Sequence, residues 1–410
     1  MNNDAREKAE SYLNELCLNI GNRSVGSNGN RQATDFFEKE ISSSGWEITK
    51  NELNAMDWEN GGAAIRIEGK NYEALVSPYS MGCNVEAQLV CIASTAELEE
   101  TDTDGKIVLL HGEIARGQLM PKNFVFYNPD EHKKIVSLLE SKGIKAIISV
   151  TGRNSALAGG VYPFPLIEDG DFDIPSVYLA EEEGNELLKF NGKPVRLSSV
   201  STRIRSKCYN IIAKKGKGKA KIVVTAHIDA KKTSPGAIDN ATGVIVLLLL
   251  AGRLKEYNGD TLIEIVPFNG EDYYAVPGQM DYIKRNEGEF ENILLNINID
   301  GAGYKEGESA LSLYNMPGDM ERIIKDVLSK SSRVVEGTQW PQGDHSIFVQ
   351  FGRPALAATS KWFTDNMETQ TITHTPKDST EIVDCSKLID ITDALYDIIS
   401  GVIAMQEEKP

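Results

Sequence analysis

With 410 residues, 41% of them hydrophobic and 25% charged, the chain is long enough for two domains with sizeable cores. Its 43 basic and 60 acidic residues leave a net charge of −17, which disfavours nucleic acid and anionic membranes as partners. The same charge suits cations, including metal ions and substrates with a free ammonium group, and it also serves solubility alone. Residues 1–7 supply neither a basic n-region nor an apolar core, so no signal peptide is legible. The longest apolar stretch, 244–251, is too short to span a bilayer. The five cysteines, Cys17, Cys83, Cys91, Cys208 and Cys385, include no CxxC pair, so reduced thiols and a cytoplasmic location are expected.

Ala9, Leu13, Leu16 and Cys17 recur at helical spacing and predict a helix over 5–18. A loop rich in glycine and asparagine follows over 22–30. Next come a helix over 31–43, with Phe36, Phe37 and Ile41 inward, and a strand over 46–49. Between residues 55 and 203 short β-rich runs dominate, at 63–67, 88–92, 106–110 and 146–150. Helices are predicted there only over 132–142 and 180–188. This stretch is expected to be a β-rich module inserted into a domain made of residues 1–54 and 204–410.

From residue 206 strands and helices alternate, which predicts an α/β fold with a mixed, mostly parallel sheet flanked by helices. Strands are predicted over 221–226, 261–268, 292–299 and 354–358, and helices over 240–257, 279–287, 320–330 and 387–405. In open α/β sheets, ligands gather at the carboxyl ends of the strands. His227 and Asp229 follow one such strand, Glu271 and Asp272 another, and Asp300 a third. Asp239 is expected at the start of the long helix, where its carboxylate would meet the positive end of the dipole. His374 lies near the end of the chain, before Pro376.

Each piece alone has an ordinary reading: a core histidine, a helix cap, a turn after a strand. Their order after successive strands points instead to a metal site, because imidazoles and carboxylates are the ligands a pair of zinc-like ions prefers. One carboxylate more than coordination needs is present, and it is free to move protons.

As an ordered set these segments resemble the M28 family of zinc peptidases, the leucyl aminopeptidase and glutamate carboxypeptidase type. The stretches that carry the resemblance are 225–229 (TAHID), 235–243 (PGAIDNATG), 269–272 (NGED), 298–303 (NIDGAG), 343–348 (GDHSIF) and 374–378 (HTPKD). The region 22–37 is similar to the family's N-terminal helix–loop–helix, and residues 55–203 look like a protease-associated domain. The resemblance implies a zinc-exopeptidase fold of the phosphorylase/hydrolase-like kind. It further implies that Asp239 bridges two divalent ions, Zn2+ or alternatively Co2+ or Mn2+. His227 and Asp300 would complete one site, and Asp272 and His374 the other. Glu271 would be the general base, Asp229 would orient His227 through its other ring nitrogen, and the Asp239-Asn240 peptide would be cis. Substrates would be peptides or aminoacyl compounds.

Two positions depart from the family pattern. Asp272 stands where many relatives have glutamate, and Thr373 where many have an aromatic residue before the last histidine. His345 is a candidate to replace the missing hydroxyl, with a hydrogen-bonded structural role as the other reading. The function expected is a two-metal aminopeptidase. The alternatives are a one-zinc aminoacyl transfer like that of glutaminyl cyclases, and a binding scaffold without catalysis.

Overall fold

The computed structural model describes residues 2–124, 128–154, 161–273 and 277–408. The chain forms two compact units. One comprises Met1–Ala55, Lys207–Asp272 and Val276–Pro410; the other comprises Met56–Ser206 and Tyr273–Ala275. The boundaries expected at 54/55 and 203/204 fall inside two long strands, Glu47–Ile67 and Pro194–Lys215. A strand that runs on through a boundary leaves no turn residue or change of period to mark it. The separate strands expected at 46–49 and 63–67 are parts of the first of these.

The larger unit is built on a sheet in the order Pro194–Lys215, Leu262–Phe268, Lys221–His227, Ile293–Ile299, Ala355–Ser360, Ser309–Tyr314, Val334–Glu336. Lys221–His227 runs parallel to Leu262–Phe268 on one side and to Ile293–Ile299 on the other. Ile293–Ile299 is parallel to Ala355–Ser360. Antiparallel pairing enters through Pro194–Lys215 and Ser309–Tyr314. The last of these was not expected from sequence. Its Ser-Ala-Leu-Ser-Leu-Tyr run lacks the β-branched residues that mark the other strands, and burial within the sheet decides its state instead.

Helix Thr242–Arg253 carries Val244, Ile245, Val246, Leu247, Leu248 and Leu250, all buried. A helix apolar on every side must be enclosed. This one packs against Cys385–Glu407, Asn2–Asn14 and Asn28–Ser42, within a core that also takes in Val224, Ile265 and Ile297 from the strands. Leu247→Ala is expected to lower stability by about 2–5 kcal/mol, since a cavity replaces packed methyl groups. Denaturant unfolding would read this as a fall in the midpoint, with site chemistry intact below it.

The inserted unit departs from the β-rich expectation in one respect. Four of its strands, Cys83–Ile92, Ile107–Leu110, Ala146–Thr151 and Ser176–Ala180, are parallel neighbours. Parallel pairing needs crossovers, and Thr95–Glu100 and Asp130–Ser141 lie on them. Separate apolar clusters, one around Leu98, Val108 and Leu139 and one around Ile107, Ile148 and Val177, fill the unit. The helix expected over 180–188 is a strand end followed by two short helical turns, Glu181–Gly184 and Asn185–Phe190. All five cysteines are free, and among the described residues no helix is long and apolar enough to cross a membrane.

Candidate metal centre

Parallel register brings the candidate residues together. His227 pairs with Phe268 across the sheet, and Thr225 pairs with Asn298, so three strands end side by side. His227 is the last residue of its strand, Asp300 directly follows Ile293–Ile299, and Glu271 and Asp272 lie just beyond Leu262–Phe268. Asp239 comes from the turn Ala237–Ala241, and His374 from a loop before the terminal helix. His374 has φ 62°, a left-handed backbone that residues with a Cβ seldom adopt.

All five expected ligands converge. His227 Nε2 lies 3.1 Å from Asp239 Oδ1 and 3.6 Å from Asp300 Oδ1. His374 Nε2 lies 3.0 Å from Asp239 Oδ2 and 3.0 Å from Asp272 Oδ1. Asp239 thus presents one oxygen to each imidazole. Two ligand sets share Asp239, His227–Asp239–Asp300 and Asp239–Asp272–His374, each with donor atoms within 4.8 Å of one another; His227, Asp229 and Asp272 form a third such group. Glu271 Oε2 is 3.9 Å from His227 Nε2, beside both sets.

The chemistry of these donors fits cations. His227 Nδ1 faces the Asp229 carbonyl at 3.1 Å, so in the neutral ring it carries the proton and Nε2 carries a lone pair. That lone pair points among carboxylate oxygens, and His227 Nε2 and Asp272 Oδ2 are buried without a hydrogen-bond partner. Electron-rich atoms packed in this way are held by positive charge, from protons or metal ions. Burial pushes the His227 imidazole down, but Asp239, Asp300 and Glu271 outweigh it and carry it well above its ordinary value. His374 is likewise lowered by burial and raised further by Asp272 and Asp239, to about 10. Burial raises Glu271 well above the usual carboxylate range, with Asp300, Asp344 and Asp272 adding to it. Divalent ions would take the place of these protons. The side chains of His227 and Asp272 are 1% and 2% exposed, those of Asp300 and Glu271 17% and 22%, so the cluster keeps an accessible side.

The structure corrects the role expected of Asp229. Its carboxylate oxygen is 3.8 Å from His227 Nδ1, and the ring is oriented by the Asp229 carbonyl instead. The carboxylate accepts from three successive backbone amides, Gly270 N at 2.8 Å, Glu271 N at 3.2 Å and Asp272 N at 3.1 Å. A turn with three N–H groups converging on one point needs an anion there, so this carboxylate shapes the loop that carries Glu271 and Asp272. Asp229→Asn, which sets an amide N–H against one of those donors, is expected to lower kcat about 10- to 100-fold and loosen the ion at Asp272. Steady-state rates and a chelator titration of metal content would check both.

Asp239 is not in the helix as expected. It and Asn240 have non-helical backbone angles, and the helix starts at Thr242. Asn240 Oδ1 accepts from Gly243 N at 3.0 Å while its amide donates to the Ile299 carbonyl at 2.8 Å. Asn240 therefore ties the helix start to the strand that ends at Asp300. The peptide between Asp239 and Asn240 is cis, as the resemblance implied.

His345 is 1% exposed and packs between the rings of Tyr314 and Trp340. Its Nε2 faces the Trp340 carbonyl at 3.1 Å, and burial pushes the imidazole down to about 4. The ring is then neutral with its proton on Nε2, and Nδ1 offers a lone pair rather than a donor. That arrangement supports the structural reading of His345 and not a role in steadying negative charge. Thr373 is also engaged, its hydroxyl accepting from Gln370 Nε2 at 2.7 Å.

Five further residues, none given a role by the sequence, support the site. Buried Arg23 donates to the carbonyls of Leu16, Ile228, Pro235 and Gly236. Asn30 and Asn269 exchange amide hydrogen bonds at 2.8 and 2.9 Å, directly before the loop with Glu271. Asp378 accepts from Ile238 N and Asp239 N. Lys231 Nζ donates to the Asp272 carbonyl. None of these hydrogen bonds involves a metal-facing atom; the NGED stretch placed Asn269 near the site, and the HTPKD stretch Asp378.

Residues 210–399 match the sequence profile of peptidase family M28. The matched stretch includes His227, Asp239, Glu271, Asp272, Asp300 and His374. Among curated relatives, leucine aminopeptidase 2 of Trichophyton equinum is 24% identical over 358 residues, 82% of this chain and 68% of that protein. Aminopeptidase YwaD of Bacillus subtilis strain 168 is 26% identical over 319 residues, 75% of this chain and 65% of that protein. The aminopeptidase from Aneurinibacillus sp. strain AM-1 has a similar fold, with a TM-score of 0.75 at 21% identity over 96% of this chain and 93% of that one. BSAP, a zinc aminopeptidase from Bacillus subtilis, matches with a TM-score of 0.71 at 21% identity over 97% and 94%. Coverage this high means that the likeness of fold extends through the inserted unit.

Proposed function

We propose that this chain is a two-metal exopeptidase, an aminopeptidase that releases a residue from the amino end of a peptide. The observation that carries the reading is Asp239, whose two oxygens each face an imidazole Nε2, at 3.1 and 3.0 Å, with a second carboxylate beside each. His227 and Asp300 would hold one ion with Asp239, and Asp272 and His374 the other. Divalent ions held there would polarise a scissile carbonyl and lower the pKa of water. The match to the M28 profile and the zinc aminopeptidase of similar fold support zinc as the metal.

The residues of the chain supply the rest. Glu271 stands next to the ligands but outside both sets, so its Oε2 is free to take a proton from the attacking water and return it to the leaving amine. Asp229 keeps that carboxylate in place by holding the backbone of its loop. The carboxylates around the site favour a substrate ammonium, in keeping with the aminopeptidase names of the relatives. We read the inserted unit as a protease-associated domain.

A peptide library incubated with protein loaded with Zn2+, Co2+ or Mn2+, and read by mass, tests the proposal. Loss of single N-terminal residues, abolished by a chelator and restored by metal, is expected. Internal cleavage, or loss of ammonia with ring closure at N-terminal glutamine, would overturn it. The second outcome would instead favour cyclase chemistry, although two complete ligand sets argue for two ions.

A further inference from the structure

The turn Ala237–Ala241, which carries Asp239, is gripped on both sides by buried charges that lie outside the ligand set. Arg23, 1% exposed, sends Nη1 to the Pro235 carbonyl at 2.9 Å, Nη2 to the Gly236 carbonyl at 2.7 Å and Nε to the Ile228 carbonyl at 3.2 Å. Nη1 also donates to the Leu16 carbonyl at 2.7 Å. Asp378, fully buried, accepts on Oδ1 from Ile238 N at 2.7 Å and on Oδ2 from Asp239 N at 3.1 Å. The Ala237 amide reaches the Asp378 carbonyl at 3.4 Å.

The geometry leaves the turn little freedom. Gly236 has φ 61°, and a Cβ there would meet Ala230 Cβ at 2.5 Å, the Asp239 carbonyl at 2.7 Å and Arg23 Nη2 at 2.8 Å. Carbonyls on one flank and amides on the other are matched by a planar cation and a carboxylate, each with the fork shape that two contacts require. Arg23 belongs to the N-terminal loop, outside the residues matched by the family profile. Asp378 lies four residues beyond His374. One loop therefore holds a ligand of the second ion and also fixes the backbone of the shared ligand.

Resting on the two-metal reading above, we infer that Arg23 and Asp378 are positioning residues for the bridging carboxylate and so set the affinity for both ions jointly. Neither touches the metal-facing atoms, and their action passes through the Asp239 backbone. A residue behind a single site would change one ion only. A residue that merely supports the fold would lower the stability of the metal-free protein without selecting the ions.

The test uses the full chain with Asp378→Asn and Arg23→Lys, and Asp300→Asn for comparison. Each protein is dialysed against graded chelator, its zinc content is measured, and the unfolding temperature of the metal-free form is recorded. Expected is that Asp378→Asn and Arg23→Lys lose both zinc ions together, at about ten-fold lower chelator concentration or less than the parent requires. Asp300→Asn should lose one ion first. Retention of both ions at the parental midpoint by Asp378→Asn, or loss of one ion alone, overturns the inference. So does a metal-free unfolding temperature depressed in proportion to the metal loss. Should Arg23→Lys fail to fold, Asp378→Asn decides the matter by itself. A parent that retains no zinc, or retains it without peptidase activity, tells instead against the proposed function.

Discussion

Glu271→Gln is expected to retain both metal ions and to lose turnover by about two to four orders of magnitude, the range a positioned acid–base group contributes. The substitution keeps shape and hydrogen-bonding reach but removes the ability to accept a proton. Glu271 lies outside both ligand sets, with Oε2 3.9 Å from His227 Nε2 and its side chain partly open. Its backbone amide is pinned to Asp229, so the loop has no reason to move when the carboxylate becomes an amide. Metal analysis beside kcat separates the two effects. Undiminished turnover would remove Glu271 from the role of base, and loss of metal would make it a ligand.

Asp239→Asn is expected to be as damaging for a different reason. Both oxygens are in use, one at 3.1 Å from His227 Nε2 and one at 3.0 Å from His374 Nε2. An amide replaces one of them with an N–H2 group that offers no lone pair to an ion. The two sites share the residue, so both should empty at chelator concentrations that the parent tolerates, and activity should fall to background. A variant that holds two ions as tightly as the parent would show that Asp239 does not bridge. One that loses a single ion would assign it to that site alone.

Most of the ligand set was legible in the chain because it depends on local order. A strand that ends in His-x-Asp, another followed by Asn-Gly-Glu-Asp and a third by Asp-Gly place their polar ends on one rim whenever the three strands are parallel neighbours. The apolar runs at 221–226, 262–268 and 293–299 are strong enough to specify those strands, and the register then does the rest. The parts that escaped depend on groups distant in sequence. The Asp229 carboxylate serves a loop 41 residues away, while the imidazole beside it is held by the Asp229 backbone carbonyl. The strand Ser309–Tyr314 has no propensity of its own and exists because Ala355–Ser360 offers it an edge.

His345 shows the same limit. In the sequence it stands as an Asp-His pair near the site, equally fit for chemistry or support. Only the position of the Trp340 carbonyl and the two flanking rings assigns its proton and leaves it no donor to spare. Thr373 likewise gains a partner only in the fold, its hydroxyl oxygen accepting from Gln370 Nε2.

By itself the sequence determined which chemistry is available: two imidazoles, three carboxylates fit to ligate and a spare one, several of them placed after an apolar run that must become a strand. Tertiary structure decided how that chemistry is held. The pairing of Asp239 with both imidazoles, the three-amide grip of Asp229 and the Arg23–Asp378 clamp join segments up to 213 residues apart. Hydrogen bonds of that kind carry no period and no spacing along the chain. They form only once burial of the core has removed water as the competing partner for each backbone group.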